Sequence, residues 1–171
     1  MRVQLTTILI IMNLILHSVY GQDREVYFCE GGGCAVADWV YFCEGGGCAV
    51  ADWIYFCEAG NCSVATYIYI SSIDSDADIT VSNRPSADAD WIHICEGSGC
   101  AVADWIYICE GGGCAVAEWV HITSDPSLAD ITIAMDTESL LGQYDAELRD
   151  SMLKKYVAAC VYPHIFDSDD Y

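Results

Sequence analysis

The chain is expected to be all-β: a narrow β-solenoid, or parallel β-helix, of about eight coils closed by a C-terminal capping α-helix. Three features of the sequence lead there. Near-identical units recur every 12–14 residues. Within each unit apolar side chains alternate with period 2, as in a half-buried strand rather than a helix. Ten of the eleven cysteines form five pairs with one spacing, C-x4-C.

Residues 1–21 read as a secretory signal peptide. Arg2 supplies the positive start, and residues 5–16 are an apolar stretch too short to span a bilayer comfortably. Val19 and Gly21 suit the small positions before a cleavage site ahead of Gln22. The expected localisation is therefore secreted and extracellular, an oxidising setting in which paired cysteines become disulfides. Asn61-Cys62-Ser63 is a formal N-glycosylation sequon, set inside one of the cysteine loops.

Residues 22–135 carry the repeats and form the expected solenoid domain. Residues 37–50 read ADWVYFCEGGGCAV and residues 103–116 read ADWIYICEGGGCAV. One column is always β-branched: Val26, Val40, Ile54, Ile68, Ile79, Ile92, Ile106, Val120 and Ile131. Two residues on stands a second apolar column: Phe28, Phe42, Phe56, Ile70, Val81, Ile94, Ile108, Ile122 and Ile133. The residue between them is Tyr, Thr or His, so that column is expected to face water. Glycine-rich stretches such as 45–47 turn the chain, and a short second strand at Ala49-Val50-Ala51 is expected to return its valine to the interior. Coils stacked one strand spacing apart would make a rod on the order of 40 Å long, in which each coil meets its sequence neighbour.

The cysteine pairs Cys29/Cys34, Cys43/Cys48, Cys57/Cys62, Cys95/Cys100 and Cys109/Cys114 each bracket four residues. That separation lets the two Cα atoms approach within disulfide range, although links between neighbouring coils also satisfy it. Zinc coordination fits less well, because five identical loops on an exported chain do not converge four ligands. Cys160 is left over, as a free thiol or an intermolecular link.

Residues 136–171 change pattern. Leu141, Tyr144, Leu148, Met152 and Tyr156 fall at helical spacing, so residues 137–160 are expected to form an amphipathic helix. Its expected role is to cover the open end of the last coil. An acidic tail follows.

Stacking would generate repeated surfaces. An aromatic face is expected from Trp39, Trp53, Tyr67, Trp91, Trp105 and Trp119 beside Tyr41, Tyr55 and Tyr107, suited to sugar rings or a protein partner. A row of carboxylates, among them Asp38, Asp52, Asp90 and Asp104, is expected to gather diffuse Ca2+ or other cations, and otherwise no cofactor is expected.

The disulfide-braced CEGGGC and CEGSGC coils are similar in architecture to the small insect antifreeze solenoids. The similarity covers residues 23–134 and consists of period and bracing. It implies a solenoid with internal disulfides. That family's ice face uses Thr-x-Thr ranks, whereas here only Thr80 and Thr132 stand in the comparable column.

Charge narrows the function further. With 26 acidic against 6 basic residues, phosphate-contact binding of nucleic acid is excluded. No G-x-S-x-G, H-E-x-x-H or P-loop motif occurs, and His93 and His121 sit in the Tyr column, so no enzyme activity is expected. The expected function is structural or interactive: a rigid acidic rod that presents repeated arrays to an extracellular protein or glycan, or that self-associates in adhesion. The alternative is a binding module for a regular ligand such as carbohydrate, ice or a mineral surface, with Ca2+ dependence.

Overall fold

The computed structural model describes residues 24–166 except 32, 45–47, 59–61, 73–76, 97–99 and 111–113, and the side chain of His164. Residues 1–21, where a signal peptide is expected, Asn61 and the acidic tail lie outside the described residues. The described strands are β1 Arg24–Phe28, β2 Asp38–Phe42, β3 Asp52–Phe56, β4 Thr66–Ser71, β5 Ile79–Ser82, β6 Asp90–Cys95, β7 Asp104–Ile108, β8 Glu118–Thr123 and β9 Ile131–Ala134. A 3-10 turn at Pro126–Leu128 precedes β9, and α1 (Thr137–Leu141) and α2 (Ala146–Phe166) follow it.

Every strand is where the alternating columns place it, and all pairings are parallel. The neighbours differ from the expected stack. The strands close into a barrel in the order β1-β5-β9-β4-β8-β3-β7-β2-β6. Each strand's successor in sequence therefore lies two places along the wall. A first lap, β1 to β5, leaves alternate places open, and β6 to β9 fill them on a second lap. Val40 pairs with Ile94 of β6 and Asp104 of β7, not with Val26 or Ile54. The in-register stacking of adjacent repeats, and the rod it implied, are replaced by a short closed barrel.

The physical reason lies in the connections. A parallel pair cannot be joined by a tight hairpin, so the chain must run back along the wall before starting the next strand. The return segment passes over one strand position, which a later strand occupies. The strand order carries the β1–β2 loop across β6, which it leaves after the ladder extends by one residue, the Cys29 N–H donating to Ile92 O at 2.8 Å. The β2–β3 loop crosses β7 and the β3–β4 loop crosses β8 in the same way, with Cys43 N–H donating to Ile106 O and Cys57 N–H to Val120 O, both 2.9 Å.

The inward columns, with Val26, Ile54, Ile68, Ile79, Ile106, Val120 and Ile133 fully buried, meet at the barrel axis. There they pack around α2. Tyr156, Val157, Ala158, Ala159, Cys160 and Val161 are consecutive and all buried. Six successive helical residues point in every direction around the axis, so the wall surrounds the helix on all sides. The contacts fix its direction. Lys154 and Lys155 reach Glu58 and Glu44 just beyond the C-terminal ends of β3 and β2. At the opposite mouth Arg24 Nη1 donates to Cys160 O at 2.9 Å, and the Tyr162 hydroxyl donates to Asp52 at 2.7 Å.

The C-terminal helix is thus a threaded core rather than an end cap, antiparallel to the strands around it. Small side chains at Ala158, Ala159 and Cys160 suit the limited width inside a wall of this strand number. The expected single helix over 137–160 is broken at Gly142–Asp145, where the Asp145 carboxylate accepts from Leu148 N–H at 3.0 Å and opens α2. Cys160 is a free thiol and fully buried. Burial pushes that thiol up to about 12, against a smaller opposing pull from Arg24.

Candidate interaction surface

Five disulfides close within single loops: Cys29–Cys34, Cys43–Cys48, Cys57–Cys62, Cys95–Cys100 and Cys109–Cys114. Their Cα separations are 5.7–5.9 Å. Gly31, with φ of 81°, turns the first loop through the left-handed region that a side chain would strain. Each second cysteine then starts a turn back into the next strand, as where Ala37 N–H donates to Cys34 O at 3.1 Å.

The loops lie against the aromatic column, which changes its character. Trp39, Trp53 and Trp91 donate their indole N–H groups to Cys34 O, Cys48 O and Ser86 O at 3.2, 3.3 and 2.9 Å. Trp39, Trp53, Tyr67, Trp91, Trp105 and Trp119 are all half-buried. They do not stack on one another. Each meets a Tyr or His of the neighbouring strand edge-on, as in Tyr41–Trp105, Trp53–Tyr107 and Tyr55–Trp119, at centroid distances of 5.0–5.2 Å. These pairs act as cross-strand cement between first-lap and second-lap strands.

His93 and His121 belong to the same layer. Their Nδ1 atoms lie 3.0 and 2.9 Å from Cys29 O and Cys57 O. A carbonyl only accepts, so each Nδ1 carries the proton. His121 also lies 3.6 Å from Cys62 Sγ and forms a compact group with Cys57 and Cys62. Both sulfurs are committed to a disulfide, which removes the thiolates that a metal would need.

The carboxylates form rims at the two barrel mouths. Asp52, Asp104, Asp38 and Asp90 begin β3, β7, β2 and β6, four consecutive places in the wall. Several of these strand-start carboxylates have structural partners. Asp90 pairs with Arg24, and Asp52 holds the α2 hydroxyl already described. Asp78 and Asp130 accept backbone N–H groups from Thr132 and Tyr67 at 2.7 and 2.8 Å. Glu44 and Glu58, at the other mouth, are exposed and face the helix lysines.

One surface escaped sequence reasoning. The residue expected to turn inward after each second cysteine points out instead. Val36, Val50, Val64, Val102 and Val116 are 76–85% exposed, and Leu128 holds the same place before β9 at 56%. A signal for this was present. These aliphatics stand in tight turns and are followed two places on by a polar residue instead of a second apolar one that would make a strand face.

The described residues hold no helix long and apolar enough to cross a membrane. The antifreeze resemblance reaches as far as regularly spaced parallel strands with five disulfides, and no further. No family model, curated protein or solved structure matches the chain.

Proposed function

We propose that this chain is an exported interaction module, a rigid acidic barrel that offers a repeated outer surface to extracellular protein partners. The observation that carries the reading is the coupling of each disulfide loop to an outward aliphatic side chain. The helix fills the barrel axis, so the repeated chemistry lies outside. Short cross-linked loops hold that chemistry at fixed positions and reduce the entropy lost when a partner docks. Five disulfides fit an oxidising compartment, and a net charge of −20 favours solubility and cationic partners. The reading assigns the molecule no catalytic role.

The test uses the full chain expressed in a eukaryotic secretory host. The expected result is recovery from the medium with each cysteine pair linked within its own loop in non-reducing mass mapping. Immobilised protein should retain a defined protein set from an extracellular-matrix preparation and lose it after reduction and alkylation. Retention inside the cell, or a retained set indifferent to reduction, overturns the reading. Glycan binding that fails in Trp105→Ala would replace it with the carbohydrate alternative.

A further inference from the structure

The barrel order turns the scattered aliphatics into one feature. Val36, Val50, Val64, Val102, Val116 and Leu128 precede β2, β3, β4, β7, β8 and β9. Around the wall these strands run β9-β4-β8-β3-β7-β2 without a gap. Residues from two distant stretches of sequence therefore interleave as Leu128, Val64, Val116, Val50, Val102, Val36. The apolar arc covers six of the nine strand positions at one end of the barrel.

Copying of the repeat does not account for it. In 59–64 the loop sequence departs from its siblings to AGNCSV, yet Val64 is kept. The connection before β9 has no cysteine and no glycine, yet Leu128 occupies the same place. The position before β6 is Asp88, on the remaining sector, so the arc has an end.

We propose that this arc is a docking track for an extended, basic segment of a partner protein in which aliphatic residues alternate with Lys or Arg. The proposal rests on the interaction reading above and names the partner's chemistry. The arc is convex and wraps the barrel, so a flat surface would touch only a few members. An extended chain bends around it. Its same-side residues repeat about 6.7 Å apart, comparable to adjacent wall strands at about 4.8 Å once widened to the loop radius.

Charge selects the basic segment. None of the six turn segments carries a Lys, Arg or His. A carboxylate follows two residues after five of the six aliphatics, at Asp38, Asp52, Asp104, Glu118 and Asp130, of which Asp52 and Asp130 also accept from the Tyr162 hydroxyl and the Tyr67 N–H. The arc ends at a hollow of about 510 Å³ where Val36, Pro85 and Trp91 form apolar walls beside Asp38 and beside Asp90, the latter already paired with Arg24. That combination suits the stem and head of a Lys or Arg. A second copy of this chain would bring two strongly acidic surfaces together.

The full chain is titrated with a synthetic peptide alternating Val and Lys, and with a Val/Glu counterpart, at low and physiological salt. The expected result is saturable one-to-one binding of the Lys peptide alone. Val50→Asp with Val116→Asp should weaken it at least tenfold despite the added negative charge. Asn83→Asp, on the remaining sector, should change it less than twofold, with all melting curves retained. No binding, or binding unchanged or strengthened by the double variant, overturns the proposal.

Sedimentation and neutral phosphatidylcholine vesicles are measured in parallel. Self-association or vesicle binding that the double variant abolishes assigns the arc to a second copy or to lipid, and also overturns it. If the arc fails these tests while matrix retention survives, only the assignment of the arc falls. If retention fails as well, the interaction reading falls with it.

Discussion

The braced sector and the seam of this barrel solve the same problem by different means. From β4 round to β6 the wall joins strands of five or six residues, and each return loop lying over it after a repeat strand is closed by a disulfide or, before β9, by the 3-10 turn. At the seam β5 and β9 have four residues each and share only two register pairs, Ile79↔Ile133 and Thr80↔Ala134. The connections on either side of β5 lack cysteines. What holds the seam is a side chain. Asp78 donates its backbone N–H to Thr132 O at 2.9 Å and accepts Thr132 N–H on its carboxylate at 2.7 Å. Covalent bracing thus fixes loops, whereas closure of the ring rests on a few hydrogen bonds and on the helix that both sectors enclose.

The largest effect should come from breaking what the sectors share. Ala158→Asp places a carboxylate where the residue is 0% exposed and the wall is apolar. A loss of about 4 kcal/mol or failure to fold is expected. Hydrogen exchange should accelerate in β3 and β5 together. Acceleration confined to the seam would show that the braced sector stands without the helix.

The same core should make stability fall at alkaline pH. Burial raises the Cys160 thiol from 9.0 to about 12. Burial likewise raises the Tyr156 hydroxyl from 10.0 to about 12, with Tyr144 and Glu30 adding to it. The folded state holds protons that the unfolded chain gives up, so the contribution is complete below pH 9 and is lost progressively as pH rises toward 12. Each proton adds a slope of up to about 1.4 kcal/mol per pH unit. Denaturation midpoints across this window should drop, and Cys160→Ala should flatten the first part of the decline. A midpoint independent of pH from 9 to 11 would place the thiol in contact with water.

How much of this was legible in the sequence depends on the range of the contact concerned. Which side chains point inward is a local matter, set by the period-2 pleat, and Val26 to Ile133 obey it. The loop disulfides are equally local. Strand neighbours are not. The alternation of Val40 and Phe42 says that both face the core, but it is silent on whether β1 or β6 lies alongside, since every repeat offers the same pattern. Only the path of the nine-residue return segment decides, and that path crosses one strand before coming down. The helix was half legible. Its spaced apolar residues from Leu141 to Tyr156 led to an amphipathic cap, although the unbroken apolar run 157–161 has no polar face and belongs inside a core. For the surface the signal was present but subtle: the polar residue two places after each valine leaves it no strand face to join.

Removing one brace should matter less than breaching the core. Cys43→Ala with Cys48→Ala opens a short loop, for which loop-closure entropy gives a loss of about 2 kcal/mol. Exchange should rise around β2 and β3 with little change at β5. An equal rise at the seam would mean that bracing is transmitted around the ring, contrary to the local role assigned here.

The smallest of the stability effects tests the seam itself. Asp78→Asn keeps an acceptor for Thr132 N–H but removes the charge, whereas Asp78→Ala leaves that N–H without its side-chain partner. The alanine variant is expected to lose about 1.5 kcal/mol and the asparagine variant less than half of that. Both are read from denaturant midpoints with the disulfides intact. The location of the loss is as informative as its size. Because β5–β9 pairing is the shortest junction, the alanine variant should open there first, with exchange at Ile79 and Ile133 rising before any change in the braced strands. If Asp78→Ala instead lowers protection evenly around the wall, the ring opens as one unit and the contrast between the two sectors disappears.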